Sequence, residues 1–159
     1  MTLLDNADWQ MVNDGVMGGI SGSTVTRTDA GTWLFSGIVS LENNGGFASA
    51  QAMLPRPIDL SQFNGLALRV RGDGNRYGFN ARSVGLVRLS YRGYFETTGD
   101  WQQITFAFAD LQPITLGNVV PDAPPLDLTQ VQMLGFIIAD KQDGPFSLEI
   151  DTIRALPHN

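Results

Sequence analysis

The sequence lacks cysteine altogether, and its single histidine, His158, is next to the last residue. Without cysteine, the 159-residue chain has no disulfide bond, no thiolate metal ligand and no cysteine nucleophile. Chain ends are commonly poorly ordered, so His158 is a poor candidate for a general base. We therefore expect no serine–histidine or cysteine–histidine pair within the domain.

Long hydrophobic runs are also missing. The longest, residues 131–139, is much shorter than the ~20 apolar residues of a membrane span and is interpreted as a buried strand. Asp5 and Asp8 lie where an export signal would be apolar, so we expect a cytoplasmic protein, soluble or peripheral to a membrane. The glycine-rich residues 15–23 precede a strand rather than a helix, which argues against a phosphate-binding loop, and no cofactor is expected.

Basic residues are few and unevenly placed. The net charge of −6 argues against nucleic acid as a partner. Six of the ten basic residues nevertheless fall within positions 69–92, where Asp73 is the only acid. If the strands of this segment are neighbours, they form one polar sheet face whose side chains suit anions, sugars or proteins. The candidate face comprises Arg69, Arg71, Asn80, Arg82, Arg88, Arg92 and Tyr94. The alternative is an exposed face that Glu149 and Asp151 neutralise through cross-strand pairs.

The pattern of glycine and proline predicts an all-β fold. Eighteen glycines and eight prolines separate short runs rich in Val, Ile, Thr, Phe and Tyr, a pattern typical of strands joined by turns. Residues 65–71 alternate strictly between apolar and polar, and the apolar run 135–139 predicts a central strand. Helical signals are limited to single turns at 109–113 and after Asp127. Nine or ten strands predict one domain, residues 1–159, built as a two-sheet antiparallel jelly-roll sandwich.

Acidic residues offer only weak signals for a metal or for catalysis. Asp73 with Asn75, and Asp140 with Asp143, lack the spacing of a calcium loop and are typical of tight turns, so no metal is expected. A carboxylate pair could still serve a hydrolase or lyase, although sixteen acids offer such a pair by chance. The carboxylates available for it are Asp14, Glu42, Asp73, Glu96, Glu149 and Asp151.

Two glycine-rich segments, residues 12–23 and 41–49, carry asparagine and aspartate at their edges. Such side chains commonly hydrogen-bond their own backbone. The alternative is a binding rim that the two loops share.

These segments also carry a family resemblance. WQMVNDGVMGGISGS at 9–23, FSGIVSLENNGGFAS at 35–49, DLSQFNGLALRVRGDGNRY at 59–77, PDAPPLD at 121–127 and GFIIADKQDGPFSLEID at 135–151 occur in this order. With them the chain resembles the complex I intermediate-associated protein 30 (CIA30) family along almost its whole length. In one departure, Leu116 stands where the family often has arginine.

The resemblance implies a galactose-binding-like jelly roll and a role in assembly rather than catalysis. Mitochondrial relatives help to build respiratory complex I, and relatives in photosynthetic organisms serve photosynthetic complexes. The expected partner is a protein client or assembly factor, and a reductase-like domain, where one is needed, would act in trans. The motif positions that the resemblance marks as candidate binding residues are Asn13, Asp14, Gly18, Gly19, Asn43, Asn44, Gly45, Gly46, Asp140, Lys141 and Gln142.

Three functional hypotheses therefore stand. The leading one is a non-enzymatic binding module that assists assembly of a respiratory or photosynthetic membrane complex. The second is a carbohydrate-binding module that uses Tyr91, Tyr94 and Trp101 as aromatic platforms. The third is a carboxylate-based hydrolase or lyase, which needs two acids in one pocket, at least one with a raised pKa.

Overall fold

A computed structural model of the chain describes residues 2–13, 22–39, 46–85, 89–115, 118–139, 142 and 144–157. This part contains twelve strands and two three-residue 3-10 turns, Phe108–Asp110 and Leu128–Gln130. The strands are β1 (Asp8–Asn13), β2 (Gly22–Arg27), β3 (Trp33–Val39), β4 (Ala48–Ile58), β5 (Phe63–Arg71), β6 (Arg76–Ser83), β7 (Ser90–Glu96), β8 (Trp101–Ala107), β9 (Gln112–Thr115), β10 (Asn118–Val119), β11 (Val131–Ile138) and β12 (Gly144–Pro157). Neither turn is remotely long enough to cross a membrane as a helix.

The strands form two antiparallel sheets. One has seven strands in the order β1-β4-β11-β6-β7-β9-β10, and the other has five in the order β2-β3-β12-β5-β8. This confirms the predicted all-β sandwich. The apolar run 135–139 lies in β11 between β4 and β6, so its prediction as a central strand is also confirmed.

The core lies between the sheets and is rich in aromatic rings. Phe79 stacks on Phe106 with ring centroids 5.8 Å apart, and it meets Phe136 edge to face at 5.7 Å. Gly93 makes room for this cluster, because a Cβ there would lie 2.4 Å from the Phe106 ring. Each large side chain buried in this way contributes roughly 1.5–3 kcal/mol relative to an exposed one.

The N-terminal residues are attached to the last strand. The Leu3 amide donates to the Ile153 carbonyl at 2.8 Å, and the Ile153 amide donates to the Thr2 hydroxyl at 2.9 Å. Leu4 is fully buried in the core as a result. The segment before β1 therefore closes one edge of the space between the sheets.

Local predictions met mixed outcomes. Asp127 caps a turn as predicted, since its carboxylate accepts from the Thr129 amide at 3.0 Å, but the turn ends where β11 begins at Val131. The turn predicted at 109–113 forms at Phe108–Asp110 instead. The predicted number of nine or ten strands was too low. β1 and the short β9 and β10 show only weak alternation of apolar and polar residues, and β9 also contains Pro113.

Candidate functional site

The described residues that flank the three motif loops meet at one end of the sandwich. Asn13, Ala48 and Ile138 are direct neighbours across β1, β4 and β11. In the other sheet, Val39 pairs with Gly144 at the same end. Each loop therefore begins and ends at this loop end of the molecule. The idea of a shared rim stays a prediction, because Asp14, Gly18, Gly19, Asn43, Asn44, Gly45, Asp140 and Lys141 lie outside the described residues, as does the side chain of Asn13.

Two of the predicted motif residues are described, and both have backbone roles. Gly46 has φ 136°, a conformation that favours glycine over any residue with a side chain. The Gln142 side chain makes two hydrogen bonds to the backbone of Arg76, the first residue of β6. Its Oε1 accepts from the Arg76 amide at 2.7 Å, and its Nε2 donates to the Arg76 carbonyl at 2.7 Å. The same Nε2 donates to the Ala139 carbonyl at 2.7 Å. These contacts attach Gln142 to the start of β6 and to the residue that follows β11.

The turn between β5 and β6, residues 72–75, is held in a similar way. The Asp73 carboxylate accepts from the Tyr77 hydroxyl at 2.9 Å and from the Ser147 amide at 2.8 Å. The Thr97 hydroxyl donates to the Asn75 carbonyl at 2.7 Å and accepts from the amide of Asp73 at 3.2 Å. Burial, and then the Asp73 charge, raise the pKa of Tyr77. This turn connects the two sheets and is already saturated with internal hydrogen bonds.

This crossing divides the predicted arginine face. Arg69 and Arg71 lie on β5 in the five-stranded sheet, whereas Arg82 and Arg92 lie on β6 and β7 in the seven-stranded sheet. The expectation of one continuous face is therefore wrong, because the chain changes sheets between β5 and β6 instead of forming a hairpin. Arg88 lies outside the described residues.

On the five-stranded sheet the arginines are neutralised. Arg71 donates to Glu149 at 2.7 Å, and Arg69 donates to Asp151 at 3.1 Å. Both guanidinium groups also lie over the Trp101 ring, 5.0 and 4.6 Å from its centroid. For these two arginines, the alternative of cross-strand neutralisation by β12 is confirmed.

Glu149 has a hydrogen-bond partner on each of its two carboxylate oxygens. Its second oxygen accepts from the Thr32 hydroxyl at 2.6 Å, and that hydroxyl lies 2.6 Å from Thr28 Oγ1. The Thr32 hydrogen bond, and then Arg71, lower the pKa of Glu149 against the opposing effect of burial. The network has little capacity left for a ligand.

The arginines of the seven-stranded sheet have neutral partners instead. Arg92 donates through Nε to the side-chain Oδ1 of Asn80 at 2.6 Å and through Nη1 to the Tyr94 hydroxyl at 3.4 Å. Arg82 donates through Nη2 to the Ser90 hydroxyl at 3.3 Å. Within the described ranges, neither guanidinium group is paired with a carboxylate. We call these five residues, Asn80, Arg82, Ser90, Arg92 and Tyr94, the β6–β7 arginine site.

Arg82 is the least satisfied member of the β6–β7 arginine site. Its Nε is buried and has no hydrogen-bond partner, although the side chain as a whole is only half-buried. Burial lowers the pKa of this guanidinium. A buried donor without a partner is costly, so the Nε of Arg82 keeps an unmet hydrogen-bonding capacity at this position.

Glycine shapes the floor of the same site. A Cβ at Gly78 would lie 2.8 Å from Ile137 Cγ2 and 3.2 Å from Arg92 Cδ, so these side chains fold over the bare backbone of β6. Gly135, on β11, pairs with Asn80 and likewise has no side chain to cover the backbone. Sequence alternation placed Asn80 with Arg82, and Arg92 with Tyr94. It also placed Gly78 and Ser90 on these faces, although neither was among the candidate site residues.

The family model for complex I intermediate-associated protein 30 matches residues 3–150 of this chain. The chain belongs to the CIA30 family. Among curated relatives, mouse "Complex I intermediate-associated protein 30, mitochondrial" is 39% identical over 101 residues, which is 60% of this chain and 31% of that protein. The Drosophila melanogaster protein of the same name is 29% identical over 168 residues, covering 91% of this chain and 57% of that protein. This CIA30-family chain thus corresponds to less than two thirds of either relative.

Solved structures similar to this CIA30-family domain include carbohydrate-binding modules. A family 11 module of a Clostridium thermocellum cellulase superposes with a TM-score of 0.66 at 17% identity, over 96% of this chain and 88% of that one. A family 30 module of the same organism gives 0.62 at 18% identity, over 86% and 83%. At this identity the likeness shows a shared jelly-roll fold and nothing about ligands.

The three aromatic residues predicted as sugar platforms do not form one surface in this CIA30-family domain. Tyr91 is buried, with 2% of its surface exposed, and its hydroxyl donates to the Pro124 carbonyl. Tyr94 and Trp101 are partly exposed but lie on the outer faces of different sheets.

The carboxylates considered for catalysis are likewise dispersed. Asp73 serves the β5–β6 turn, Glu149 and Asp151 neutralise arginines, and Glu96 is exposed at the end of β7. Asp14 and Glu42 lie outside the described residues. No group of three or more His, Asp or Glu side chains suited to a metal occurs among the residues that the structure describes.

Proposed function

We propose that this domain is a non-catalytic binding module that assists assembly of a respiratory complex of the complex I type through protein contacts. The observation that carries the proposal is the family match over residues 3–150, together with mouse and fly relatives named for a complex I intermediate. The family resemblance in the motif loops supports it from the sequence.

The contacts of the motif residues agree with a scaffolding role. Gln142 and Asp73 form hydrogen bonds with the backbone and with neighbouring side chains at the loop end. They hold the starting points of loops in fixed positions, which favours display of a surface over acid–base chemistry. A client would then contact the loop end, the outer face of the seven-stranded sheet, or both.

The proposal places the domain beside the membrane in which its client is assembled. The mouse and fly relatives are named as mitochondrial proteins, so the cytoplasmic location expected from the sequence stays a prediction. In a photosynthetic organism the client would be a photosynthetic membrane complex. A reductase-like partner acting in trans is compatible with either client.

The test is affinity capture of the tagged chain from its own organism, with mild cross-linking and mass spectrometry. We expect respiratory complex I subunits or assembly factors, and we expect native gels of a deletion strain to show partly assembled complex. Recovery of photosynthetic subunits would identify the other client. Capture of neither class, with normal assembly in the deletion strain, would refute the proposal.

A further inference from the structure

The β6–β7 arginine site combines two cations with no counter-charge among the described residues. Arg82 lies opposite Ser90, and Arg92 lies directly opposite Asn80, so the two arginines are diagonal neighbours on adjacent antiparallel strands. Diagonal neighbours in such a pair are ~7–8 Å apart, within reach of long side chains. Arg92 extends over Gly78 towards Tyr94, on the side of Asn80 away from Arg82, so the two guanidinium groups form two separate cationic positions on one face.

The outward-facing residues around this site are poor in acids. On β1, β4, β11, β6 and β7, described outward positions include Gln51, Met53, Met133 and Ile137, and the carboxylates are Asp8 on β1, three strands from Arg82, and Glu96 at the very end of β7. A negative group arriving at Arg82 and Arg92 thus meets little repulsion. This lack of acids is notable in a chain with a net charge of −6.

The mixture of side chains favours a protein partner over a small free anion. Arginine, tyrosine and methionine are enriched at protein interfaces, whereas lysine, aspartate and glutamate are depleted. The site has this composition, with Tyr94 beside Arg92 and the partly exposed Met53 on the same face of the sheet. A row of amide side chains, Gln10, Gln51, Asn80 and Gln112, crosses the sheet through Gly135 and Arg92 and offers further hydrogen bonds to an extended segment.

We propose that Arg82 and Arg92 bind carboxylate side chains of one acidic segment of a partner protein. Arg92 is oriented by Asn80 and Tyr94, and Arg82 is oriented by Ser90, so each guanidinium can form charge-assisted bonds to its own carboxylate without giving up these partners. Binding supplies the negative charge that both guanidinium groups lack among the described residues. This inference rests on the proposed function and specifies the chemistry of the client.

The experiment titrates the isotope-labelled full chain with a capped hexaglutamate peptide while backbone amide NMR signals are recorded. We expect shifts concentrated at residues 76–82 and 90–96 and on the outer face of β11, weakened by added salt. A capped hexaglutamine peptide should leave these signals unchanged. Shifts that map to Arg69 and Arg71, equal binding of hexaglutamine, or no shift at roughly millimolar peptide would overturn the inference.

Matched double variants test the residues themselves. The Arg82→Gln, Arg92→Gln variant should lose about tenfold or more in affinity for hexaglutamate, the value of one lost charge-assisted hydrogen bond. The Arg69→Gln, Arg71→Gln variant carries the same charge change on the opposite face and should stay within about twofold. Since the titration of the unsubstituted chain needs no variant, misfolding of either double variant would not remove the test.

Two other anions serve as competing probes. Phosphatidylglycerol vesicles represent a lipid surface, and oligogalacturonate represents an acidic sugar. Binding of either at residues 76–96 without binding of hexaglutamate would reject a protein partner.

Client capture separates this inference from the proposed function. If the Arg82→Gln, Arg92→Gln chain recovers the same subunits as the original chain, the inference fails while the proposed function stands. If hexaglutamate binds as expected but no assembly partner is captured, the inference stands while the proposed function fails.

Discussion

The two outer faces of the sandwich each carry a pair of arginines, and only one pair is neutralised. On the five-stranded sheet, Arg69 and Arg71 pair with Asp151 and Glu149. On the seven-stranded sheet, Arg82 and Arg92 bond only to neutral groups among the described residues. The same residue type thus has acidic partners on one face and only neutral described partners on the other. Cations kept without a counter-charge are better explained by binding than by folding.

The largest expected effect concerns Glu149, which accepts from Thr32 and Arg71. Glu149→Gln removes the charge from both hydrogen bonds and should lower the free energy of unfolding by about 1.5 kcal/mol. Urea denaturation followed by circular dichroism measures the change. The control is Asp151→Asn, whose pair with Arg69 is exposed and should contribute less than about 1 kcal/mol. Equal losses of unfolding free energy in the two variants would mean that the burial of Glu149 does not strengthen its contribution to stability.

The effect of Glu149 should also depend on pH. Because folding lowers its pKa from the usual 4.5, the folded state binds fewer protons than the unfolded state in mild acid. The stability from this group is complete above the unfolded-state pKa and is lost as the pH falls through the folded-state pKa. The difference between the unsubstituted chain and Glu149→Gln should therefore be largest near neutral pH and narrow below about pH 4. A difference that is constant across this range would contradict the assignment.

A smaller effect is expected at the aromatic rings of the two faces. Trp101 has two guanidinium groups over its ring, whereas Tyr94 has Arg76 alone, 4.1 Å from its centroid. Trp101→Leu should lower the free energy of unfolding by about 1 kcal/mol, and Tyr94→Leu by roughly half as much. Chemical denaturation of both variants measures the ratio. A greater loss for Tyr94→Leu would show that Tyr94 stabilises the fold through more than this contact.

The smallest effect is expected at Arg82. Arg82→Met keeps the aliphatic stem and removes a guanidinium whose Nε is buried without a partner, so stability should change by less than about 0.5 kcal/mol or increase. Arg71→Met on the other face leaves Glu149 without its ion-pair partner and should destabilise the domain. Equal destabilisation by the two substitutions would erase the contrast between the faces.

The fold was largely predictable because its signals are local. Strict alternation in residues 65–71 and the apolar run 135–139 report burial directly, and both segments became strands of the expected kind. The motifs, in their order, likewise indicated the family. The short strands β9 and β10 were missed, because four and two residues are too few to show a period.

The candidate site was only half predictable, for a topological reason. Alternation predicts which residues of one strand share a face, as it did for Asn80 with Arg82. It does not reveal which strands are neighbours, and that depends on the turn at residues 72–75 crossing between sheets. The structural duty of Gln142 was also hidden, since its hydrogen-bond partner Arg76 lies 66 positions away in the sequence.

The strand order has a consequence for synthesis on the ribosome. β11 and β12 are the last strands to be made, yet each is an inner strand, β11 between β4 and β6 and β12 between β3 and β5. Until they emerge, the earlier strands have open edges where their permanent neighbours belong. Such edges readily pair with other chains. The two sheets can therefore be completed only after β12 has been made, and a holding chaperone that covers the earlier strands until then should raise the yield of folded domain.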